Sequence, residues 1–264
     1  MYLNSFAKQE THLTYMKYYI SESNWSTILI FLRSQKGLHT KDTQKLRKFV
    51  EAVFYILKTG AQWDYLHKDY GSSRAIHKRY KYWADKGVWS DLMTYVSDID
   101  SQQFMIDSLS VKAHACASGY EINGNDIHAL GRSVGGFTTK IHTVTDALGN
   151  PVKFILSAGN VHDIIPSQDL LEGINNAQIL ADKAYFSEDN LKFIIKNGNT
   201  AIIPAKENYT KDHSIDWHIY KDRHLIENFF SKIKHFRRVF SRFDKTCSAF
   251  LGFVALASTF IWLR

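Results

Sequence analysis

The chain has 264 residues, of which 45% are hydrophobic and 22% are charged, so a wholly disordered or fibrous protein is excluded. It contains only two cysteines, Cys116 and Cys247, which excludes a disulfide scaffold and a four-cysteine zinc site. The formal net charge is +7. Residues 1–20 show no apolar leader run, and we therefore expect a cytoplasmic protein.

The positive charge is concentrated in two blocks. Residues 33–87 hold 13 basic and 5 acidic residues, and residues 221–245 hold 8 basic and 3 acidic residues. Basic blocks with aromatic residues between the charges suit the phosphate backbone of DNA. Ordinary solvated helix faces are the alternative explanation.

The first part of the chain predicts helices. Apolar residues between Leu46 and Leu57 recur at helical spacing, and Gly60 follows as a stop signal. Ser72 or Ser73 can cap a second helix, and a third is expected from Val88 to Val96. We predict a small all-α domain of helix-turn-helix type over residues 1–97.

From about residue 98 the pattern changes to alternating strands and helices, which predicts an α/β domain over residues 98–264. Strands are expected at 104–106, 137–145, 152–157, 178–181 and 201–204, and helices around 191–195 and from about 220 to 240. The uncharged run from Ser248 to Leu263 is shorter than the roughly 20 residues of a membrane span. We interpret it as a buried core helix and expect no membrane partner.

Two acids stand at or near the ends of short apolar runs. Asp107 ends the first run and Asp182 ends the run at 178–181. Because ligands of open α/β sheets gather outside the carboxyl ends of the strands, the two acids are expected to lie near each other. Such a pair is costly without a cation, and oxygen ligands favour magnesium or manganese. Strand-end aspartates also cap helices or make turns, and this alternative stays open.

The predicted long helix carries a polar face. Tyr220, Arg223, Glu227 and Lys234 fall within a sector of about 60° when each residue turns the helix by about 100°. An apolar face is expected on the opposite side, formed by Leu225, Phe229, Ile233, Phe236 and Phe240. From amphipathicity alone, the polar face could simply be solvated.

The order and spacing of Tyr220, Arg223, Glu227 and Lys234 resemble the signature of bacterial insertion-sequence transposases of the DDE class. More narrowly, the chain is similar to the insertion-sequence-five group of the insertion-sequence-four-like superfamily. The resemblance extends over most of the chain, in the segments 47–52, 58–63, 83–89, 105–108, 131–142, 182–185, 236–238 and 243–246.

This resemblance implies an RNase H-like catalytic domain, with a mixed sheet and flanking helices, that uses two divalent metal ions. By resemblance, Asp107, Asp182 and Glu227 are the catalytic acids and the metal ligands. The implied ions are two Mg²⁺, with Mn²⁺ as a substitute. Residues 1–97 would form a helical DNA-binding domain and residues 98–264 the catalytic domain. The residues expected to contact DNA are Tyr220, Arg223, Lys234, Arg237 and Arg238.

The implied function is a transposase that cuts DNA at the ends of an insertion sequence and transfers the strands to a target. Its partners would be double-stranded DNA, namely terminal inverted repeats and target DNA, and further copies of the chain in a homo-oligomer. The protein would associate with the nucleoid when bound to DNA. Two alternatives remain: a decayed or domesticated transposase that only binds DNA, and an RNase H-like nuclease that cuts without joining.

Overall fold

The computed structural model describes residues 20–35, 40, 42–117, 129–133 and 136–264. Within these ranges the N-terminal part is helical, as predicted. Its helices are α1 (Glu22–Ser34), α2 (Thr43–Thr59), α3 (Ser73–Asp85) and α4 (Val88–Val96). The predicted stop at Gly60 is confirmed by its left-handed φ of 70°, and the predicted cap at Ser72 by its side chain, which accepts a hydrogen bond from the Ala75 amide.

One mixed sheet forms the second part of the described chain. Its strands are β1 (Gln103–Ala113), β2 (Gly131–Ser133), β3 (Gly136–Thr145), β4 (Pro151–Ala158), β5 (Gln178–Leu180), β6 (Thr200–Ile202) and β7 (Ser241–Arg242). Strand β3 pairs antiparallel with β1, β2 and β4, whereas β5 and β7 run parallel to β1, and β6 runs parallel to β5. The central order is β4-β3-β1-β5-β6.

Helices flank both faces of this sheet, which confirms the expected RNase H-like architecture. They are α5 (Ser167–Leu171), α6 (Glu188–Lys196), α7 (Trp217–Tyr220), α8 (His224–Ile233), α9 (Arg237–Phe240) and α10 (Cys247–Trp262). Alternate residues of β1 belong to different cores. Met105, Leu109 and Val111 pack in one cluster with α8 and α10, and Phe104 and Ile106 pack in another on the opposite face.

The prediction for the run Ser248–Leu263 is confirmed, because α10 is a core helix buried along most of its length. It packs against α3 and α4, so the N-terminal helices share one hydrophobic cluster with α8, α10 and one face of the sheet. The division at residues 97 and 98 coincides with the change from helices to strands, and it stays a prediction. Among the described residues, no helix is long and apolar enough to cross a membrane.

Two local predictions were wrong. Strand β1 does not end at Asp107 but continues to Ala113, because its second half pairs with residues 138–143 of β3. The long helix from 220 to 240 is interrupted after Ile233, where Phe236 takes an extended backbone and is buried. The same interruption leaves Phe240 53% exposed, so this residue does not continue the apolar face.

Candidate active site

The three predicted acids belong to neighbouring elements: Asp107 and Asp182 to two paired strands and their ends, and Glu227 to the helix that packs against β1. Met105 of β1 pairs with Leu180 of β5, and Asp107 and Asp182 each lie two residues further along. Met105 and Leu180 both belong to the core cluster that includes α8. By the two-residue period of a strand, Asp107 points to that same side. Glu227 lies in the first turn of α8.

Arg223 joins two of the acids. Its guanidinium donates to Asp107 Oδ2 at 3.5 Å and to Glu227 Oε1 at 2.5 Å. The Asp107 and Arg223 side chains are each 22% exposed, whereas Glu227 is 55% exposed. A guanidinium therefore supplies the positive charge between two carboxylates, where an isolated pair of like charges would repel.

Burial is the largest influence on Asp107 and raises the pKa of its carboxyl to about 6. The Ser108 amide, which donates to Asp107 Oδ1 at 2.7 Å, acts in the opposite direction, as does Arg223. The charge of Asp182 raises the pKa further. Asp107 thus lies close enough to Asp182 for the two charges to interact. Burial and this neighbouring charge both favour the binding of a positive charge to the Asp107 carboxylate.

Asp182 follows β5 and caps a short 3-10 turn, its Oδ1 accepting from the Ala184 amide at 2.8 Å. The helix-cap alternative raised from the sequence therefore applies to this residue. Beside it is an open depression, also lined by Lys183, Lys206 and Glu207. Across the described part of the chain, no three His, Cys, Asp or Glu side chains are grouped closely enough to hold a metal ion.

The donor chemistry nevertheless fits a divalent ion. All three acids offer carboxylate oxygens, the ligands that magnesium and manganese prefer, and they come from adjacent strands and the helix above them. Arg223 occupies the position between Asp107 and Glu227, so a metal ion would compete with this guanidinium for both carboxylates.

The predicted DNA contacts differ in exposure. Tyr220 and Arg223 are half-buried, whereas Lys234 and Arg237 are exposed. Arg238 is only 5% exposed, donates twice to the Asp244 carboxylate at 3.0 and 3.1 Å, and lies over the Phe253 ring. The Arg238 guanidinium is therefore inside the protein and already paired, and its contact with DNA stays a prediction.

A polar network that sequence reasoning missed lies on the opposite face of the sheet. Asp163 Oδ1 accepts from Ser108 Oγ at 2.7 Å and from Lys140 Nζ at 2.9 Å. His142 Nδ1 lies 3.9 Å from the same oxygen, and burial lowers the pKa of His142 to about 4. The pairing of Ser108 with His142 across β1 and β3 produces this cluster, and only the sheet register could have revealed it.

Comparisons with known proteins agree with this fold. Residues 20–93 match a family model described as "Putative transposase of IS4/5 family", and residues 94–260 match the family model "Transposase DDE domain". The two matched segments follow each other along the chain, first the helical part and then the catalytic part, as the motifs predict.

Two sequence relatives and one solved structure are similar to the chain. The "Putative transposase for insertion sequence element IS6501" of Brucella ovis is 42% identical over 130 residues, which cover 48% of this chain and 99% of the relative. An uncharacterized protein of Sinorhizobium fredii is 28% identical over 105 residues, covering 38% of this chain and 81% of the relative.

The solved structure is a piggyBac transposase synaptic complex with hairpin DNA, which aligns with a TM-score of 0.52 at 8% identity. The alignment covers 92% of this chain and 72% of that one. At this identity the likeness supports the fold alone. The DDE family model, which spans most of the chain, and the Brucella relative together show that the chain belongs to the DDE transposases of bacterial insertion sequences.

Proposed function

We propose that the chain cuts DNA at the ends of an insertion sequence and joins the freed strands to target DNA, using Asp107, Asp182 and Glu227. The observation that supports this proposal is that Arg223 joins Asp107 to Glu227, while Asp182 follows the strand that pairs with the strand of Asp107. Family membership supplies the reaction class, and the site supplies the residues.

Asp107, Asp182 and Glu227 would hold two magnesium ions, for which manganese can substitute. Bound there, the ions would supply Lewis acidity toward a phosphodiester and lower the pKa of a bound water. The burial of Asp107 favours binding of a cation, because a buried carboxylate is stabilised by positive charge. The exposure of Glu227 leaves one side of the site open to DNA.

Basic and aromatic side chains around the acids would position the DNA. Lys234 and Arg237 are exposed on the segment that follows Glu227, and each can contact a phosphate oxygen. Tyr220 contacts the exposed Trp217 ring, with centroids 5.5 Å apart, and can donate its hydroxyl to a phosphate or stack on a base. The DNA partner would comprise the terminal inverted repeats and the target, bound by a homo-oligomer of the chain at the nucleoid.

The test uses a DNA fragment bearing the inverted repeats that flank the gene. We expect wild-type protein to cut and join this fragment in magnesium, and Asp107→Asn, Asp182→Asn and Glu227→Gln to do neither while still binding it. Glu172→Gln is a matched control, because Glu172 is an exposed acid outside the site. Cutting without joining would favour the nuclease alternative, and binding without cutting by wild type would favour the decayed or domesticated one.

A further inference from the structure

Helix α3 presents a stripe of basic side chains to solvent. Arg74, Lys78 and Lys81 are exposed and fall within a sector of about 60° on the helix surface. The opposite side, with Ile76, Tyr80 and Trp83, is buried in the core. The three basic residues of the stripe and the core residues of α3 therefore lie on opposite sides of the helix.

The charges on this stripe are not neutralised within the part of the chain that the structure describes. None of Arg74, Lys78 and Lys81 forms an ion pair there. The one acid of α3, Asp85, lies at its last position and accepts a hydrogen bond from Ser248 Oγ at 2.6 Å. The stripe therefore keeps most of its positive charge for an external partner.

The other N-terminal helices differ from α3. In α2, Arg47 is paired with Glu22 and Glu51, and Lys45 with Asp42. Helix α1 contributes one basic residue, Arg33, and α4 contributes none. Of the four N-terminal helices described, α3 therefore carries the most exposed basic side chains, Arg74, Lys78 and Lys81.

Helix α3 is also held firmly against the catalytic part. The Tyr80 hydroxyl donates to the Ala249 carbonyl of α10 at 2.5 Å. A Cβ added at Gly252 of α10 would lie 3.1 Å from the Ala84 Cβ of α3, so the two helices approach closely at this glycine. Because α10 packs in the same core as α8, a ligand on α3 would be held at a fixed position relative to Glu227.

We propose that the basic stripe of α3, defined by Arg74, Lys78 and Lys81, binds the phosphate backbone of duplex DNA and holds it for the acids. The proposal rests on the proposed function and names the helix that binds. Arg74 and Lys81 are seven positions apart, about 10 Å along the helix axis, so the three charges can reach neighbouring phosphates of a duplex. Charge complementarity selects DNA as the occupant, since the stripe is basic and the DNA backbone is anionic.

The test is a salt titration of DNA affinity, measured by fluorescence anisotropy with a labelled duplex of random sequence and no divalent metal. We expect the triple variant Arg74→Gln, Lys78→Gln, Lys81→Gln to bind at least about tenfold more weakly at low salt. Its slope of log affinity against log salt should fall by about 2 to 3, because each phosphate contact contributes about 0.9.

The control variant removes the same charge elsewhere, with Lys48→Gln on α2 and Lys192→Gln and Lys196→Gln on α6, all exposed. Both variants should keep the thermal stability of the wild type, since every changed side chain is at the surface. Wild-type affinity and slope in the α3 variant, or an equal loss in the control, would overturn the proposal. Either result leaves the proposed function standing, because binding is measured without metal or cleavage, whereas that function fails only in the cutting and joining assay.

Discussion

Arg223 is the residue on which the charge balance of the site depends. It contacts Asp107 and Glu227 directly, whereas Lys234 is exposed at the end of α8 and forms no described contact with the acids. The sequence suggested that both cations serve only DNA phosphates. The structure gives Arg223 the additional role of counter-charge to the acids, and the two residues should therefore respond differently to substitution.

We expect Arg223→Gln to lower the magnesium concentration needed for half-maximal cleavage, because removing a cation between two carboxylates strengthens their attraction for another. Lys234→Gln should leave that concentration unchanged and weaken DNA binding by about tenfold, the loss of one charge-assisted contact of roughly 1.5 kcal/mol. Magnesium titration of cleavage by each variant is the measurement. An equal shift of the magnesium requirement in both variants would contradict this division.

At the scale of elements, the corner formed by α9 and β7 depends on one buried ion pair. Arg238 of α9 and Asp244, which follows β7, are 6% and 4% exposed and form two hydrogen bonds. Arg242 of β7 is fully buried and donates to the Asp244 carbonyl at 2.9 Å and to Thr139 Oγ1 at 2.6 Å. This corner connects α8 to α10 and hence the site to the N-terminal helices.

Asp244→Ala should lower the free energy of unfolding by about 3–5 kcal/mol, because it leaves the Arg238 guanidinium buried without its partner. The matched control is Glu188→Gln, which breaks the surface pair with Lys211 and should cost far less stability, because that pair is exposed to solvent. Urea denaturation of both variants gives the comparison. Similar losses in the two variants would show that the buried pair does not hold this corner.

The sequence predicted the elements well where one residue pattern dominates. The helical spacing of Leu46 to Leu57 and the apolar run after Ser248 both correspond to real helices. A helix buried on one face repeats its apolar residues at helical spacing, and a helix buried on all sides is a continuous apolar run. The same reasoning failed at Phe236, where the chain leaves the helix so that Phe236 and Arg238 can enter the core. The partner that stabilises Arg238 is set by tertiary packing, which no helical period encodes.

The site was predictable to the extent that its residues belong to motifs. Asp107, Asp182 and Glu227 could be named from the sequence, but the contact of Arg223 with Asp107 joins residues 116 positions apart and depends on the packing of α8 against β1. The Asp163 network depends on the register of β1 with β3 for the same reason.

At the scale of the molecule, the N-terminal helices and the catalytic sheet share one core. Helix α10 lies in the C-terminal part of the sequence and packs against α3 and α4, which belong to the N-terminal part. Phe253 of α10 stacks on Tyr80 of α3 with ring centroids 4.3 Å apart. Removing the N-terminal helices would expose the apolar surface of α10 to water, at a cost of about 25 cal/mol for each Å².

A fragment of residues 98–264 is therefore expected to be insoluble or unfolded, and the full chain to unfold in one cooperative step. Far-ultraviolet circular dichroism of the fragment, and coincident thermal transitions of the full chain by circular dichroism and tryptophan fluorescence, test this expectation. A soluble fragment with native secondary structure would show instead that the catalytic part folds independently.

We propose that Asp107, Asp182 and Glu227 act together as metal ligands. Substitution of Asp182 is the sharpest test of this proposal, because Asp182 has no described contact with Arg223. The measurement is cutting and joining by Asp182→Cys and Asp182→Ala, each in magnesium and in manganese. A thiolate is a poor ligand for magnesium and a better one for manganese. We expect Asp182→Cys to be inactive in magnesium and to regain activity in manganese, and Asp182→Ala to be inactive in both. Full activity of either variant in magnesium would contradict it.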